Sequence, residues 1–388
     1  MAKRANGEGS IGKYKNGWRS KINIGYDENG KVIRKELYGK TQKEVKEKLE
    51  AYKKTNDIGL SLDREKITLE DWYYTWLFDY KQKELKLKSF EKYEGLYRNY
   101  IKDSDIGNMK IKDIRATHLQ KYYNNLIEQK DKPVSTVSGI NTRLKVCFTE
   151  AEKQGYIDKN YCKLVTLPKN IKQKEIKVLS LDEQKRFIES IKGNKYEMLF
   201  ILALGTGMRK GELLGLKWFD IDFSNNVITV SRTLQRASEI NRDGTRVTMK
   251  VEQSPKTKNS IRTIPVPNDI ALKLKSHKAK QNEIKLKSAG LYKDSDYVFC
   301  NELGEPLNEN KPNKILTTIL NKSDIEPIKF HALRHTYATR LFEADVPPKT
   351  VQSLLGHSDI SITMNIYTHV MEDKKVEAVD KLNSIFSL

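Results

Sequence analysis

The sequence predicts a multidomain, mainly α protein: a small α+β N-terminal domain (three-stranded sheet plus helix), a helical domain after it, and a larger C-terminal domain of helices with a small antiparallel β-sheet. Three observations lead there. At 388 residues the chain exceeds what one ordinary core holds, so two or three domains are expected. Period-two alternation is concentrated in residues 11–38 and 227–266, while much of the remainder repeats with helical spacing. The pattern changes at two composition breaks, which sets boundaries at 1–60, 67–163, a linker 164–177, and 178–388.

In chain order, residues 11–38 read as three short strands. Asn16-Gly17 and Asn29-Gly30 are pairs that suit tight hairpin turns because both residues tolerate positive φ. Thr41 is then an N-cap with Glu44 completing a capping box, and Val45, Leu49 and Tyr52 form one apolar helix face. Lys13, Lys15, Arg19, Lys21, Lys31, Arg34 and Lys35 stud the strands, as in a sheet laid against DNA or a solvated basic face.

After a Gly- and Asp-containing link (56–66), Trp72, Trp76 and Tyr80 recur every four residues. Tyr93, Leu96, Tyr97 and Tyr100 mark a second helix, and Leu119, Tyr122, Tyr123 and Leu126 a third. A fourth runs from Val137 to about Gln154 and stops at Gly155. Spacing alone explains these aromatic stripes as core.

The linker Thr166–Lys177 is Pro- and Lys-containing, and Ser180 to Glu183 opens the next helix with a capping box. Tyr196–Gly207 is an almost continuous apolar helix, which puts Arg209 at the edge of a core. Residues 227–234, 246–252 and 261–266 alternate and form one small sheet, with Lys256 and Lys258 on the turn before the last strand. Helices resume near Asp269, a strand spans Tyr297–Cys300, and a final helical block closes the chain.

Composition narrows the partners. Seventy-one Lys plus Arg against 51 Asp plus Glu give a formal charge of +20, a field suited to nucleic-acid phosphates or an anionic membrane. The longest apolar run, Met198–Leu204, is far short of a membrane span, and Met1–Ser10 has no apolar signal-peptide stretch. Three cysteines without CxxC spacing support neither a disulfide framework nor a cysteine zinc site, and fit a reducing cytoplasm.

The scarce chemistry sits late: four of six histidines lie between His331 and His369. His331 and Arg334, at i and i+3 of a helix, share a face from which both reach one phosphate oxygen. His331-x-x-x-His335 also has metal spacing, but Ala332 stands where a zinc hydrolase keeps its glutamate base, so no metal is expected. His357 follows Gly356, a helix end that exposes it at a turn. Arg209 opens a helix, where it pairs with Glu212 or forks onto a phosphate. A tyrosine hydroxyl such as that of Tyr367, two arginine forks, histidines and a turn lysine are together a set for phosphodiester transfer without metal. No Walker loop implies ATP.

In their order, TGMRKGELLGLKW, PKTKNSIRTIP, HALRHTYATRL and LLGHSDISITMNIYTHV resemble the arginine, lysine, HxxR, histidine and tyrosine boxes of the tyrosine site-specific recombinases, of the integrase type found in phages and conjugative transposons. The resemblance spans nearly the whole chain. It implies that Arg209, His331, Arg334 and His357 bind and activate the scissile phosphate of double-stranded DNA. Tyr367 would form a 3′-phosphotyrosyl link, and Lys256, or alternatively Lys258, would protonate the leaving 5′ oxygen. His335 and His369 have no counterpart there. It implies no cofactor and gives 1–60 as an arm-type DNA-binding domain, with Lys15, Arg19, Lys21, Arg34 and Lys35 as contacts. Residues 67–163 become a helical, SAM-like core-binding domain and 178–388 the catalytic domain. It also implies a homo-tetramer on two DNA partners, strand exchange through a Holliday junction, and an excisionase or DNA-bending accessory protein. A C-terminal element (Leu382, Ile385, Phe386, Leu388) would dock on a neighbour or close the chain's own core. Two other readings share these residues: a non-catalytic regulator with a helix-turn-helix at Lys349–Met364, and a type IB topoisomerase-like enzyme.

Overall fold

The computed structural model describes residues 10–26, 32–55, 66–168, 177–254, 261–288 and 290–368. Lys256, Lys258, His369, the Asn29-Gly30 turn and the C-terminal apolar residues lie outside them. The chain divides into two compact units, Met1–Asn170 and Ile171–Leu388.

In the first unit, β1 (Ser10–Tyr14), β2 (Gly17–Tyr26) and β3 (Val32–Gly39) form an antiparallel sheet in the order β1-β2-β3. The hairpin turn falls on Lys15-Asn16, one residue earlier than the expected Asn16-Gly17: Lys15 takes the positive φ (49°) and Gly17 opens β2 opposite Tyr14. Helix α1 (Gln42–Thr55) covers the face carrying Ser20 and Ile22, and buries Val45 and Leu49. Its cap differs from the expected box by one residue: Thr41 Oγ1 accepts from the Glu44 N–H (3.2 Å), but the Glu44 carboxylate accepts from the N–H of Lys40 (2.8 Å). Strand register sorts the basic residues. Lys21 pairs with Glu36 and Arg19 with Tyr38 on the open face, whereas Lys35 pairs with Ile22 and projects from the opposite face, with its side chain exposed.

The helical part comprises α2 (Leu69–Thr75), α3 (Leu87–Leu96), α4 (Ala116–Glu128) and α5 (Val134–Lys153). Trp72, Trp76, Leu119, Tyr123, Leu144 and Phe148 are fully buried, as their spacing predicts. Tyr80 is not. From Trp76 to Lys81 the helix takes π geometry, whose i→i+5 bonding adds a residue to the turn; Leu77 and Phe78 face the core and Tyr80 turns outward.

The second unit opens with α6 (Leu181–Ile191), whose Ser180–Glu183 box forms in both directions. Helix α7 (Glu197–Thr206) runs through the core, burying Leu199, Phe200, Leu202 and Ala203, and stops at Gly207 in a left-handed conformation (φ 60°). After α8 (Lys210–Leu214) the expected single sheet is two. The predicted strand 227–234 breaks at Ser231 and Arg232. Strand β5 (Val227–Val230) lies between β4 (Ile221–Asp222) and β8 (Arg262–Pro265), while β6 (Thr233–Ile240) forms a separate two-stranded sheet with β7 (Arg246–Gln253). The break is fixed by Arg232, whose guanidinium turns inward to the buried carboxylate of Asp220. Tyr297–Cys300 is likewise not a strand but carries isolated bridges, Tyr297 to Lys217 and Cys300 to Pro306, because that segment alternates between two partners. Helices α9 (Asn268–Lys287), α10 (Lys311–Lys322), α11 (His331–Glu343), α12 (Pro348–Leu355) and α13 (360–368) complete the unit. Among the described residues no helix is long and apolar enough to cross a membrane.

Candidate active site

Three chain segments far apart in sequence meet where α7 ends, α11 begins and α12 ends. Gly207 lets α7 stop abruptly, since a Cβ there would come within 2.4 Å of the Tyr337 ring and 2.9 Å of Leu355. Arg209 is thereby set at the mouth of α8. Its backbone N–H donates to the Glu212 carboxylate (2.8 Å), and its Nη1 donates to the same group (2.8 Å). The two alternatives for Arg209 are therefore compatible: one edge of the guanidinium is held by Glu212, and its side chain remains 38% exposed.

Glu212 also receives Arg262, which sequence reasoning passed over. Arg262 donates Nη1 and Nη2 to the two Glu212 oxygens (3.1 and 2.8 Å) and Nε to the Leu354 carbonyl (2.8 Å). A signal for it exists. In β8, Arg262 and Ile264 occupy the inward positions of the period-two pattern, and an arginine on an inward face needs a buried partner. Burial by itself would raise the Glu212 carboxyl, but the hydrogen bonds and charge of Arg262, then those of Arg209, outweigh it and hold it down to about 2.

Arg334 is buried on α11, one turn in from the helix start. It donates Nη1 to the Gly207 carbonyl and Nη2 to the Leu355 carbonyl, both at 2.7 Å. Arg209 Nη2 reaches the next carbonyl, Gly356 (3.2 Å). The carbonyl-rich end of α12 thus gathers three guanidiniums, as a helix C-terminus favours cations. Burial and the charge of Arg209 draw the Arg334 value down to about 9, which leaves it a cation at neutral pH.

His331 caps the open end of α11, with Arg334 one turn on and a cleft lined by Lys210, Asn313, Thr317 and Lys329 beside them. The packed side of its ring, then Arg334 and Arg209, lowers its pKa, so the imidazole is neutral at pH 7. His335 stacks edge-on to His331 (centroids 4.7 Å) and is pushed to about 4 by burial and then by His331. His357 follows Gly356, which ends α12 with φ 66°. Its imidazole is half-buried rather than exposed; Nδ1 is hydrogen-bonded to the buried Thr363 hydroxyl (2.9 Å), leaving Nε2 for a ligand. Burial, then Arg334 and Arg209, take it to about 3. Tyr367, on α13, lies edge-on to Phe342 (5.1 Å) beside the small apolar cluster of Ala338, Phe342, Val351, Leu355 and Ile366. Among the described residues no cluster of three or more His, Cys, Asp or Glu side chains could hold a metal ion. Arg209 and Arg262 share the Glu212 carboxylate while Arg334 is held by the Gly207 and Leu355 carbonyls, with neutral imidazoles beside them, so the site carries surplus positive charge suited to an anion.

Comparison with known proteins gives the chain's family and fold. Residues 177–374 match the Phage integrase family, and residues 68–127 match the phage integrase N-terminal SAM-like domain. A protein described as Tyrosine recombinase XerC-like, from Caldanaerobacter subterraneus subsp. tengcongensis, is 45% identical over 394 residues, covering 100% of both chains. The transposase from transposon Tn916 of Enterococcus faecalis is 25% identical over 87% of this chain and 83% of its own. A solved structure of a Tn1549 transposon integrase in complex with transposon right end DNA superposes with a TM-score of 0.66 at 24% identity, over 81% of this chain and 99% of that one, which shows a shared fold.

Proposed function

The chain belongs to the phage integrase family, as a tyrosine recombinase, and from that premise we propose that its second unit holds one scissile phosphate of duplex DNA between Arg209, Arg334, His331 and His357 for attack by Tyr367. It is a DNA-cleaving and rejoining enzyme that carries out site-specific recombination, the integration and excision of a mobile element. The observation that carries the residue assignment is the gathering of Arg209, Arg262 and Arg334 on the successive carbonyls of Gly356, Leu354 and Leu355, with the Glu212 carboxylate bound to the first two, which leaves charge for a phosphodiester to neutralise.

In the proposed step the Tyr367 hydroxyl oxygen bonds to phosphorus and the bond to the 5′ oxygen breaks. The phosphotyrosyl ester conserves the energy of the broken bond, so no nucleotide hydrolysis is needed. The tyrosine proton passes to an imidazole, for which His331 is suited because burial, then the charges of Arg334 and Arg209, lower its pKa and favour the neutral ring. Arg209 and Arg334 fork onto the non-bridging oxygens as negative charge builds, with His357 Nε2 as a further donor. The departing 5′ oxygen takes a proton from Lys256 or Lys258. Attack by a second 5′ hydroxyl reverses the chemistry and completes a strand exchange through a Holliday junction. DNA is the macromolecular partner. A homo-tetramer, arm-type and core-type sites read by residues 1–60 and 67–163, an excisionase or DNA-bending helper, and a cytoplasmic location complete the reading.

The test is Tyr367→Phe on a nicked duplex that carries the attachment site from the flanking DNA. The variant binds the duplex with wild-type affinity and yields no covalent protein–DNA adduct on a denaturing gel. An adduct that survives the change refutes the assignment of Tyr367.

A further inference from the structure

Five side chains on the open face of the N-terminal sheet are tied into one cluster. Tyr14 comes from β1, Arg19 and Lys21 from β2, and Glu36 and Tyr38 from β3, placed together because register opposes Arg19 to Tyr38 and Lys21 to Glu36. The Arg19 guanidinium lies 4.2 Å over the Tyr14 ring, and its Nη1 donates to Glu36 (3.3 Å). Lys21 Nζ sits 3.1 Å from the other Glu36 oxygen, and the Tyr38 hydroxyl donates to Glu36 as well. Tyr38 tilts against Tyr14 with ring centroids 5.6 Å apart. Arg19 and Glu36 keep side-chain exposures of only 24% and 31%, so the pair is partly shielded from solvent.

A carboxylate is misplaced on a surface that only attracts phosphates, because it cancels nearby positive charge and repels the backbone. What it contributes is geometry. An arginine alone on a strand samples many rotamers; with a ring beneath it and a carboxylate beside it, its remaining N–H groups are presented in one plane. Bidentate recognition of the O6 and N7 edge of guanine needs that, and a sheet can reach this edge in the major groove. We propose that Arg19 reads a guanine in double-stranded DNA and that Glu36 makes the reading specific, by orienting Arg19 and by penalising duplexes that offer no such contact. This rests on the reading of residues 1–60 as a DNA-binding domain.

The full-length chain is incubated with a randomised duplex pool at physiological salt, and the retained DNA is sequenced, for the wild type, Arg19→Ala, Glu36→Gln and Lys21→Gln. The wild type retains two unrelated motifs, one with an invariant guanine whose replacement lowers affinity about 10–100-fold. Arg19→Ala loses that motif and keeps the other. Glu36→Gln keeps the motif but relaxes that position to near indifference, with non-cognate binding unchanged or stronger. Lys21→Gln weakens cognate and substituted duplexes alike, as removal of a charge alone does. A Glu36→Gln protein with the wild-type preference for guanine overturns the role of Glu36. Retention of both motifs by Arg19→Ala overturns the role of Arg19. A wild type that yields a single motif, unaffected by Arg19→Ala, overturns the DNA-binding reading of the N-terminal domain itself.

Discussion

Glu212→Gln isolates the electrostatic centre of the site. The side chain keeps its size, but Arg262, whose own side chain is only 6% exposed, loses its buried counter-charge. The carboxyl lies at about 2 in the folded protein against an ordinary 4.5. At about 1.4 kcal/mol per pH unit, that difference is about 3 kcal/mol of stability at pH 7. Breaking a buried ion pair by removing one partner costs about 3–5 kcal/mol, which agrees. For a unit of this size, roughly 2–4 °C per kcal/mol translates the loss into a melting temperature lower by roughly 6–12 °C. The sign with pH is set by the depressed value: the stabilisation is present above 4.5 and lost as pH falls through 2, so the gap between wild type and variant closes over that interval. Thermal melts followed by circular dichroism from pH 7 to pH 2 measure both. A variant within about 2 °C of the wild type at pH 7, or a gap unchanged at pH 2, would falsify the account. The double variant Glu212→Gln/Arg262→Met separates stability from chemistry. Removing both charges recovers part of the melting temperature, while DNA cleavage stays low because Arg209 has still lost the carboxylate that holds it.

Three further outcomes follow from the same geometry. Gly207→Ala places a Cβ 2.4 Å from Tyr337 in a left-handed backbone; we expect a loss of about 1–3 kcal/mol in chemical denaturation and slower cleavage, because Arg209 and the Gly207 carbonyl that holds Arg334 both shift. Phe342→Leu removes the ring beside Tyr367 while keeping an apolar side chain in a fully buried position. Adduct formation on the nicked duplex should fall several-fold, by about the 0.5–1.5 kcal/mol of an aromatic pair, with unchanged DNA affinity in a mobility-shift assay. His335 and His357 have folded values near 4 and 3 against 6.5 when unfolded, so the unfolded chain takes up protons that the folded one refuses. Stability therefore declines as pH falls below about 6.5, and His357→Asn should flatten that decline in urea melts between pH 7 and pH 4.

Much of this protein is written in local pattern. Ser180 and Glu183 cap α6 as their spacing requires, Gly207 and Gly356 end α7 and α12, and the stripes through Trp72, Trp76 and Tyr123 are buried. The order of the arginine, HxxR, histidine and tyrosine boxes was likewise legible, because each box depends on residues a few positions apart. What local pattern does not contain is the identity of a partner distant in the chain. Alternation in 227–234 says that strands form; the pull of Asp220 on Arg232 splits them between two sheets. Tyr80 follows the same four-residue spacing as Trp76, yet a π turn rotates it outward. Lys35 looks equivalent to Arg19 and Lys21 until register sets it opposite Ile22. Arg262 and Glu212 are fifty positions apart, and nothing near either one announces the other. A sequence determines which face of each element is apolar and where each element stops, since those follow from neighbouring side chains and backbone preference. Which charges meet in the interior is decided only when the chain closes, because a buried charge is tolerable only beside a partner that the fold has brought to it.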